Sequence, residues 1–441
     1  SGLIRREDIL RKYHHEIHAN EIVLMAYYIA SINIENVFHD LMQDEEYKSF
    51  EGICLTDTFQ LGEQASEENL YSEQFPTNSK RVIEQKKKPI TVIIGNPPYS
   101  VGQKSANDNA QNFKYPILEK RIEKTYANGS SATSVKALYD SYIKAFRWAS
   151  DRIKPNEGGV IAFVSNSGWL DGNGMDGMRK CFEQEFSSIY VFNLRGNQRT
   201  NGELSRKEGG KIFGSGSRTP IAITILVKRA KKTTEKAKIF YHDIGDYLSR
   251  EDKLRVIKQM RDVSNPIMEW KQLTPNEHGD WINHRNRMFK DFIPIDPEKK
   301  YAKGQKAFFE TYSLGLASSR DAWVYNYALK ALEHNMQQSI SFYNQQRELF
   351  ASKQIATVSF EATKISWNDS LIKNCISNRM LHFSTDSIIT GTYRPYQKMY
   401  LYFNKNFIQR PYQNLRLFPT SKHKNLVICV SGVGASKDFS A

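Results

Sequence analysis

The stretch VIIGNPPY, residues 92–99, decides the fold that we predict for this chain. It begins with three β-branched apolar residues and a glycine, a pattern typical of a short buried strand that ends in a loop. Open α/β sheets carry their chemistry in the loops at the carboxyl ends of the strands. We therefore predict that the loop starting at Asn96 lies at the active edge of an α/β sheet.

The loop Asn96–Tyr99 holds two hydrogen-bond acceptors side by side. Its two prolines fix their own φ at about −65°, push the residues before them toward extended geometry and carry no N–H. The Asn96 amide oxygen and the Pro97 carbonyl match the two hydrogens of a planar NH2 group, and Tyr99 offers a face for its ring. The bound nitrogen would turn its lone pair toward an electrophile, which is catalysis by positioning. A tight turn without a chemical role is equally compatible with these four residues alone.

The composition is that of an ordinary globular protein with an excess of positive charge. The 441 residues are enough for two or three domains. Lysine and arginine outnumber aspartate and glutamate by 62 to 48, which gives a formal net charge of +14. This balance favours a polyanionic partner over an acidic small substrate, with a generally basic proteome as the alternative explanation.

The cysteines and the apolar runs exclude several classes of protein. The four cysteines are far apart and form no CxxC pair, so we expect neither a disulfide framework nor a zinc site. No apolar run approaches the length that crosses a membrane, and the first residues lack the layout of a signal peptide. We therefore expect a cytoplasmic protein without a membrane partner.

Strands and helices alternate up to about residue 250. The sequence predicts strands over 13–18, 52–59, 90–94, 160–164, 189–194, 220–227 and 237–242. Helices are predicted over 20–32, 136–153, 175–186 and 247–260. This alternation predicts a mostly parallel, doubly wound sheet, in which the last two strands supply an antiparallel edge. The polar residues 100–134 are predicted to form a mobile or substrate-ordered loop.

Two acidic residues follow predicted strands. An acid at the end of a strand is placed to hold the ribose hydroxyls of a nucleoside cofactor, and Glu16 has that position. Asp57 can accept a hydrogen bond from an adenine amino group, with Phe59 packed on the ring. For Glu16, a favourable charge at the start of a helix is an equally good explanation.

Two basic regions have compositions suited to nucleic acid. Residues 195–218 carry six basic residues among six glycines. After a helix predicted over 322–350, two strands are predicted over 393–403 and 408–418, and their aromatic residues alternate with basic ones, a pattern suited to stacking on bases and pairing with phosphates. A β-rich domain with an aromatic core and a basic surface is the alternative.

The order of these features resembles that of the DNA methyltransferases that modify adenine N6 and whose target-recognition domain follows the catalytic domain. More narrowly, four segments look like those of the single-polypeptide Type ISP restriction-modification enzymes. They are EIHANE (16–21), LTDTF (55–59), SSRDAW (318–323) and YRPY (393–396). Enzymes of that family join nuclease, helicase, methyltransferase and target-recognition parts in one chain, so the resemblance implies nuclease and helicase domains in the full-length polypeptide.

The resemblance implies a Rossmann-like, S-adenosylmethionine-dependent methyltransferase domain over residues 1–255. A mixed α+β domain that recognises the target in double-stranded DNA would follow over 256–441 and be truncated. The implied catalytic residues are Asn96, Pro97, Pro98 and Tyr99, with Tyr99 and Phe213 stacking on the extruded adenine. S-adenosylmethionine would be held by Glu16 at its ribose and by Asp57 and Phe59 at its adenine. The implied DNA-binding residues are Arg195, Arg199, Arg218, Arg394, Lys398 and Arg410, and no metal is implied for methyl transfer.

The sequence departs from the family in one respect. The family's glycine-rich loop, which carries the methionine end of the cofactor, should precede Glu16 and is not found there. We therefore expect the chain to be an internal fragment that binds the cofactor poorly on its own. Two alternative functions stay open: methylation of another planar amine, in protein glutamine or at guanine N2 of RNA, or recognition of DNA without catalysis.

Overall fold

The computed structural model divides the chain into two compact units, Ser1–Asn286 and Arg287–Ala441. The residues that the structure describes are 4–43, 46–63, 75–98, 114–132, 134–213, 218–230, 235–284, 288, 291–295, 306–309, 311–352, 363–393, 397–420 and 423–430.

The first unit contains eight strands within these described ranges. They are β1 (Ala19–Glu21), β2 (Ile53–Leu55), β3 (Val92–Gly95), β4 (Gly159–Asn166), β5 (Ser188–Arg195), β6 (Ile221–Lys228), β7 (Lys238–Asp243) and β8 (Lys271–Leu273). β1 and β2 form a parallel pair, and the other six form one sheet in the order β3-β4-β6-β5-β7-β8. β3 is parallel to β4 and β5 is parallel to β7, whereas β6 and β8 are antiparallel to their neighbours.

The helices of the first unit confirm the predicted alternation from residue 136 onward. They are α1 (Arg6–Arg11), α2 (Leu24–Met42), α3 (Pro76–Lys87), α4 (Pro116–Ile122), α5 (Ser141–Arg152), α6 (Asp176–Glu185), α7 (Gly202–Glu208) and α8 (Arg250–Met260). α5 and α6 bury their apolar stripes in a core with the aromatic rings of Phe146, Trp169 and Phe182, all fully buried. These rings meet edge to face or tilted, at centroid distances of 5.5–5.9 Å, and so pack the two helices together in the core.

Three details of the predicted α/β fold were wrong. Residues 12–16 form a π-helical turn after α1 and not a strand, because the Tyr13 ring packs into a cluster with Phe38 and Phe50. The antiparallel strand β6 lies inside the sheet, between β4 and β5, and not at an edge. Residues 114–132, predicted as part of a loop, contain α4 and a following π-helical turn whose apolar residues enter the core. The rest of that predicted loop lies outside the described residues.

The predicted buried strand β3 is only half covered. Ile93 packs against the core, but Val92 and Ile94 on the opposite face are 56% and 79% exposed. In the part of the chain that the structure describes, β3 pairs with β4 alone and β1 pairs with β2 alone. Among the described residues, β1 and β3 therefore each have one edge without a neighbouring strand, and residues of both strands line a cavity.

The second unit has a core of its own around a long helix. Its elements are α9 (Asp321–Val324), β9 (Tyr325–Asn326), α10 (Leu329–Ala351), α11 (Asp369–Ile376), β10 (Ile388–Thr392), β11 (Lys398–Tyr402) and α12 (Asn414–Leu417). The antiparallel sheet β10-β11-β9 packs with α10 and α11 around Tyr343 and Tyr402. The predicted strand 408–418 was wrong, because that segment makes one bridge, Ala317 to Arg410, and then forms α12.

The compact units divide some thirty residues beyond the domain boundary predicted at residue 255. β8 extends the sheet of the first unit, and the Trp281 ring is buried in that unit's core, 5.4 Å from the Trp169 ring. Residues 256–284 therefore pack with the first unit, while the functional boundary stays a prediction.

Candidate active site

The Asn-Pro-Pro loop lies where the α/β prediction placed it, at the carboxyl end of a strand. β3 ends at Gly95, which is registered with Phe163 on the parallel strand β4. A side chain at Gly95 would approach the Phe163 ring to 3.2 Å, so glycine allows the close packing of the two strand ends. Pro97 is buried, and Asn96 and Pro98 are exposed. Tyr99 lies outside the described residues.

A cavity of about 690 Å³ opens beside this loop. Its wall includes residues from the ends of β1, β2 and β3 and from one side of α5. The structure thus brings together six residues that were predicted separately: Glu16, Asp57, Phe59, Asn96, Pro97 and Pro98. A volume of this size accommodates a ligand as large as a nucleoside with a side chain.

Two hydrogen bonds fix the side chain of Asp57, which lies two residues after the end of β2. One carboxylate oxygen, Oδ1, accepts a hydrogen bond of 2.9 Å from the Phe59 backbone N–H. The other, Oδ2, accepts one of 2.6 Å from the Tyr115 hydroxyl. The Phe59 ring meets the Tyr115 ring edge to face at 5.3 Å. Asp57 and Phe59, which were predicted to contact an adenine, are therefore linked to each other directly and through Tyr115.

A second acid at this edge, Glu21, was missed in the sequence. Glu21 is the last residue of β1 and is registered with Leu55, two residues before Asp57. Its Oε1 accepts hydrogen bonds of 2.8 and 2.9 Å from the backbone N–H groups of Ile22 and Val23. In the sequence, Glu21 stands directly before the apolar helical pattern of α2, which could have indicated that it ends a strand. It was missed because the strand was predicted to begin at residue 13, six residues before β1 begins.

Glu16 also lines the cavity, but not from the end of a strand. It ends the π-helical turn, and its carboxylate pairs with Arg11 and, at 3.1 Å, with Lys12. The contact of Glu16 with a ribose stays a prediction. That prediction was based on a position at the end of a strand, and in the structure Glu21 has this position.

Arg152 and Lys144 in the cavity wall form hydrogen bonds or an ion pair with other groups of the protein. The Arg152 guanidinium donates to the carbonyl oxygens of Gln85 and Lys88 at 3.1 and 2.6 Å. The Lys144 ammonium pairs with Glu119 at 2.7 Å. Burial, with the positive charges of Lys88 and Arg152, lowers the pKa of His18 and so disfavours a positive charge on this imidazole.

The basic segment after β5 lies at the same edge of the sheet as Asn96. Because β4 and β6 lie between β3 and β5, these two strands are separated laterally by roughly 14 Å, and β5 extends beyond the level at which β3 ends. Arg199 and Arg218 are exposed in this segment, whereas Arg195 pairs with two aspartates. Phe213 packs against a cluster of buried residues that includes Leu194 on β5. It is not among the described residues that line the cavity.

The remaining predicted DNA-binding residues belong to the second unit. Lys398 is the exposed first residue of β11, and Arg410 is exposed in the bridge to Ala317. Arg394 lies outside the described residues. This unit contains 21 lysines and arginines against 11 aspartates and glutamates, so it carries most of the chain's net positive charge.

Within the described ranges, the structure has neither a cluster of metal ligands nor a helix suited to a bilayer. In those ranges, no group of three or more histidine, cysteine, aspartate or glutamate residues is arranged to hold a metal ion. No described helix is long and apolar enough to span a bilayer. The four cysteines are free, and Cys429 alone among them is exposed.

Comparison with family models matches both parts of the chain. Residues 15–198 match the Eco57I restriction-modification methylase family, and residues 307–441 match the Type ISP C-terminal specificity domain. A comparison with curated proteins gave no match.

Three solved structures are similar over nearly the whole chain. A nuclease-deletion mutant of the Type ISP restriction-modification enzyme LlaGI, in complex with a DNA substrate mimic, is 42% identical over 96% of this chain, with a TM-score of 0.84. The ATP-dependent Type ISP enzyme LlaBIII bound to DNA is 39% identical over 96%, and DrdV in complex with DNA is 32% identical over 99%, both with TM-scores of 0.83. The chain spans 34%, 28% and 42% of those three chains, respectively.

Proposed function

Because this chain combines an Eco57I-type restriction-modification methylase domain with a Type ISP C-terminal specificity domain, we propose that it methylates adenine N6 at a specific site in duplex DNA. The methyl donor is S-adenosylmethionine. The observation that carries the proposal is the shared cavity, which is bounded by the Asn-Pro-Pro loop on one side and by Asp57 and Phe59 on the other.

The Asn-Pro-Pro loop is proposed to bind the target amine. Asn96 is exposed at the end of β3, and Pro97 contributes a carbonyl oxygen without a competing N–H beside it. Two acceptors at this point take both hydrogens of the adenine amine and turn its lone pair toward the methyl donor. The amine is paired inside a duplex, so the base must leave the stack, and Tyr99 and Phe213 are proposed to stack on it.

The cavity has the chemistry that a nucleoside cofactor requires. Asp57 offers carboxylate oxygens to an adenine amino group, and Phe59 offers an apolar face. For the ribose hydroxyls we propose Glu21, since it ends β1 on the strand beside Asp57, with Glu16 as the alternative. When bound, S-adenosylmethionine supplies an activated methyl group. The protein's own part is to hold donor and acceptor in line.

The second unit is proposed to recognise the DNA site. Its excess of basic residues supplies attraction to phosphates that does not depend on sequence. Lys398, Arg410 and Arg394 of this unit are proposed DNA contacts, with Arg199 and Arg218 in the first unit. By similarity to longer enzymes, we further propose that nuclease and helicase parts accompany this region in the full-length polypeptide.

The proposal is tested by long-read detection of N6-methyladenine in DNA from a host that expresses the full-length protein. The test variant is Asn96→Ala, and the control is Asn128→Ala at an exposed position outside the cavity wall. We expect one modified sequence motif with the wild type and the control, and none with Asn96→Ala. Unmodified DNA from all three strains would contradict the proposal.

Two other functions make different predictions, which DNA binding and tritiated methyl transfer to DNA, protein and RNA distinguish. A methyltransferase for protein glutamine or RNA guanine N2 would leave DNA unmodified but transfer tritiated methyl groups to those acceptors. A DNA-recognition module without catalysis would bind a specific DNA and methylate none of the acceptors. The basic second unit favours DNA over protein as the acceptor.

A further inference from the structure

Tyr115 reaches the candidate cofactor site from the segment that follows the Asn-Pro-Pro loop. Its hydroxyl donates a 2.6 Å hydrogen bond to Asp57, 58 residues earlier in the chain. The side chain is only 4% exposed. Its ring lies 5.3 Å from the Phe59 ring and 5.1 Å from the Lys144 ammonium. Tyr115 is thus packed from several sides with its polar end on one carboxylate.

The backbone around Tyr115 is fixed as tightly as its ring. The next residue, Pro116, begins α4, and its ring disfavours helical geometry at Tyr115, whose φ and ψ are −119° and 79°. The Glu63 carboxylate accepts hydrogen bonds of 2.9 and 3.0 Å from the N–H groups of Ile117 and Leu118 at the start of that helix. Since Leu118 is buried in the core, the start of α4 cannot shift without disturbing that packing.

The two hydrogen bonds on Asp57 fix the plane of its carboxylate. The Phe59 N–H holds Oδ1 and the Tyr115 hydroxyl holds Oδ2, so rotation of the carboxylate would break both bonds. Each carboxylate oxygen has a second lone pair that a ligand can use. An amino group approaching Asp57 therefore meets an acceptor that is already oriented, and little side-chain entropy is lost on binding.

We propose that Tyr115 is a positioning residue of the cofactor site, which orients the Asp57 carboxylate toward the exocyclic amino group of a bound adenine. This inference rests on the proposed function, because it assigns Asp57 to the cofactor. It predicts that Tyr115 contributes to affinity only when the ligand carries that amino group.

The experiment compares two ligands on the full-length protein by calorimetry. S-adenosylhomocysteine carries the amino group, and S-inosylhomocysteine carries an oxygen at the same position. The variant Tyr115→Phe removes the hydroxyl and keeps the ring. The control Tyr47→Phe removes the hydroxyl of another tyrosine–carboxylate pair, Tyr47 to Glu35 at 3.0 Å, outside the cavity wall.

We expect Tyr115→Phe to weaken binding of S-adenosylhomocysteine about tenfold, since a hydrogen bond to a charged group is removed. Its affinity for S-inosylhomocysteine should stay within about twofold of wild type, and the control should change neither affinity. Equal weakening of both ligands would assign Tyr115 a purely structural role, and unchanged affinity for both would also overturn the inference. If the wild type binds neither ligand, the proposed function itself fails.

Discussion

Arg195 donates a hydrogen bond of 2.7 Å from Nε to the Asp243 carboxylate and pairs with Asp246 through Nη1. This pairing joins the end of β5 to the end of β7 and fixes the first residue of the basic segment, which has a φ of 56°. Burial by itself lowers the pKa of Arg195, but the two aspartates outweigh it and raise that pKa. The guanidinium therefore stabilises the segment rather than presenting a charge to solvent, in contrast to the exposed Arg199.

The first prediction separates these two arginines. Arg199→Ala should weaken DNA binding and reduce the slope of log affinity against log salt by about one, because one phosphate contact is lost. Arg195→Ala should instead lower the free energy of unfolding by about 1–3 kcal/mol, because it breaks charged hydrogen bonds. Salt-dependent DNA binding and urea unfolding of both variants test this. A salt slope reduced equally by Arg195→Ala, with unchanged stability, would show that Arg195 contacts phosphate.

The second prediction compares the two acids in the cavity wall. Glu21→Gln should raise the dissociation constant for S-adenosylhomocysteine by about tenfold or more, because a charged acceptor for the ribose is removed. Glu16→Gln should change it by less than about twofold, because that carboxylate is paired with Arg11 and Lys12. Calorimetric titration measures both values. The opposite order of effects would assign the ribose to Glu16.

The third prediction concerns the buried Asp176 at the start of α6. Burial raises the pKa of this carboxyl, but hydrogen bonds from Ser130 and Ser131 outweigh burial and lower it below the ordinary value. Since the unfolded state binds protons more tightly, the stability that Asp176 contributes is fully present well above the ordinary carboxyl pKa of 3.8 and is lost as pH falls through the folded-state pKa.

Asp176→Asn removes this dependence on pH. We expect the wild type to be more stable than the variant by about 1–3 kcal/mol at pH 7, and the difference to shrink toward pH 3. Urea unfolding at pH 7, 5 and 3 measures it. A difference in the free energy of unfolding that stays constant from pH 7 to pH 3 would mean that the charge of Asp176 does not contribute to stability.

The fourth prediction reverses the usual helix preference. Alanine stabilises helices relative to glycine, but a side chain at Gly177 in α6 would come within 1.9 Å of the Tyr126 carbonyl oxygen. Gly177→Ala should therefore lower the free energy of unfolding by at least about 1–3 kcal/mol, since the helix must move away from residues 123–127. Gly315→Ala, where an added side chain meets open space, is the control. Equal melting temperatures for the two variants would contradict the close contact between Gly177 and the Tyr126 carbonyl oxygen.

Local patterns in the sequence predicted the elements whose residues face the core. The β-branched runs at 160–164 and 189–194 lie in β4 and β5, and the helices α5 and α6 begin and end within a few residues of their predicted bounds. These segments combine strong local preference with burial, so local and tertiary forces agree. The Asn-Pro-Pro loop was likewise predicted at a strand end because a β-branched run that ends in Gly95 precedes it.

Other features depend on contacts between distant residues and could not be predicted from local pattern. The helical turn at 12–16 is held by Tyr13 stacked on Phe38, with ring centroids 3.7 Å apart. β6 lies between β4 and β5, and the residues of a strand do not by themselves indicate which strands it pairs with. Tyr115 lies at the end of a polar segment, and its role emerges only when the fold brings it to Asp57.

The position of β6 beside β5 also has a consequence for the segment that connects these two strands. Arg195 and Ile221 are registered partners on adjacent strands, so the segment between them leaves and re-enters the sheet at neighbouring points. The entropy of closing a loop grows only slowly with its length, so insertions at exposed positions of this segment, such as beside Arg199, cost the fold little, whereas the buried Ile212 holds another part of it in the core. Insertions beside Arg199 are therefore a direct way to vary the proposed DNA contacts while β5 and β6 stay in place.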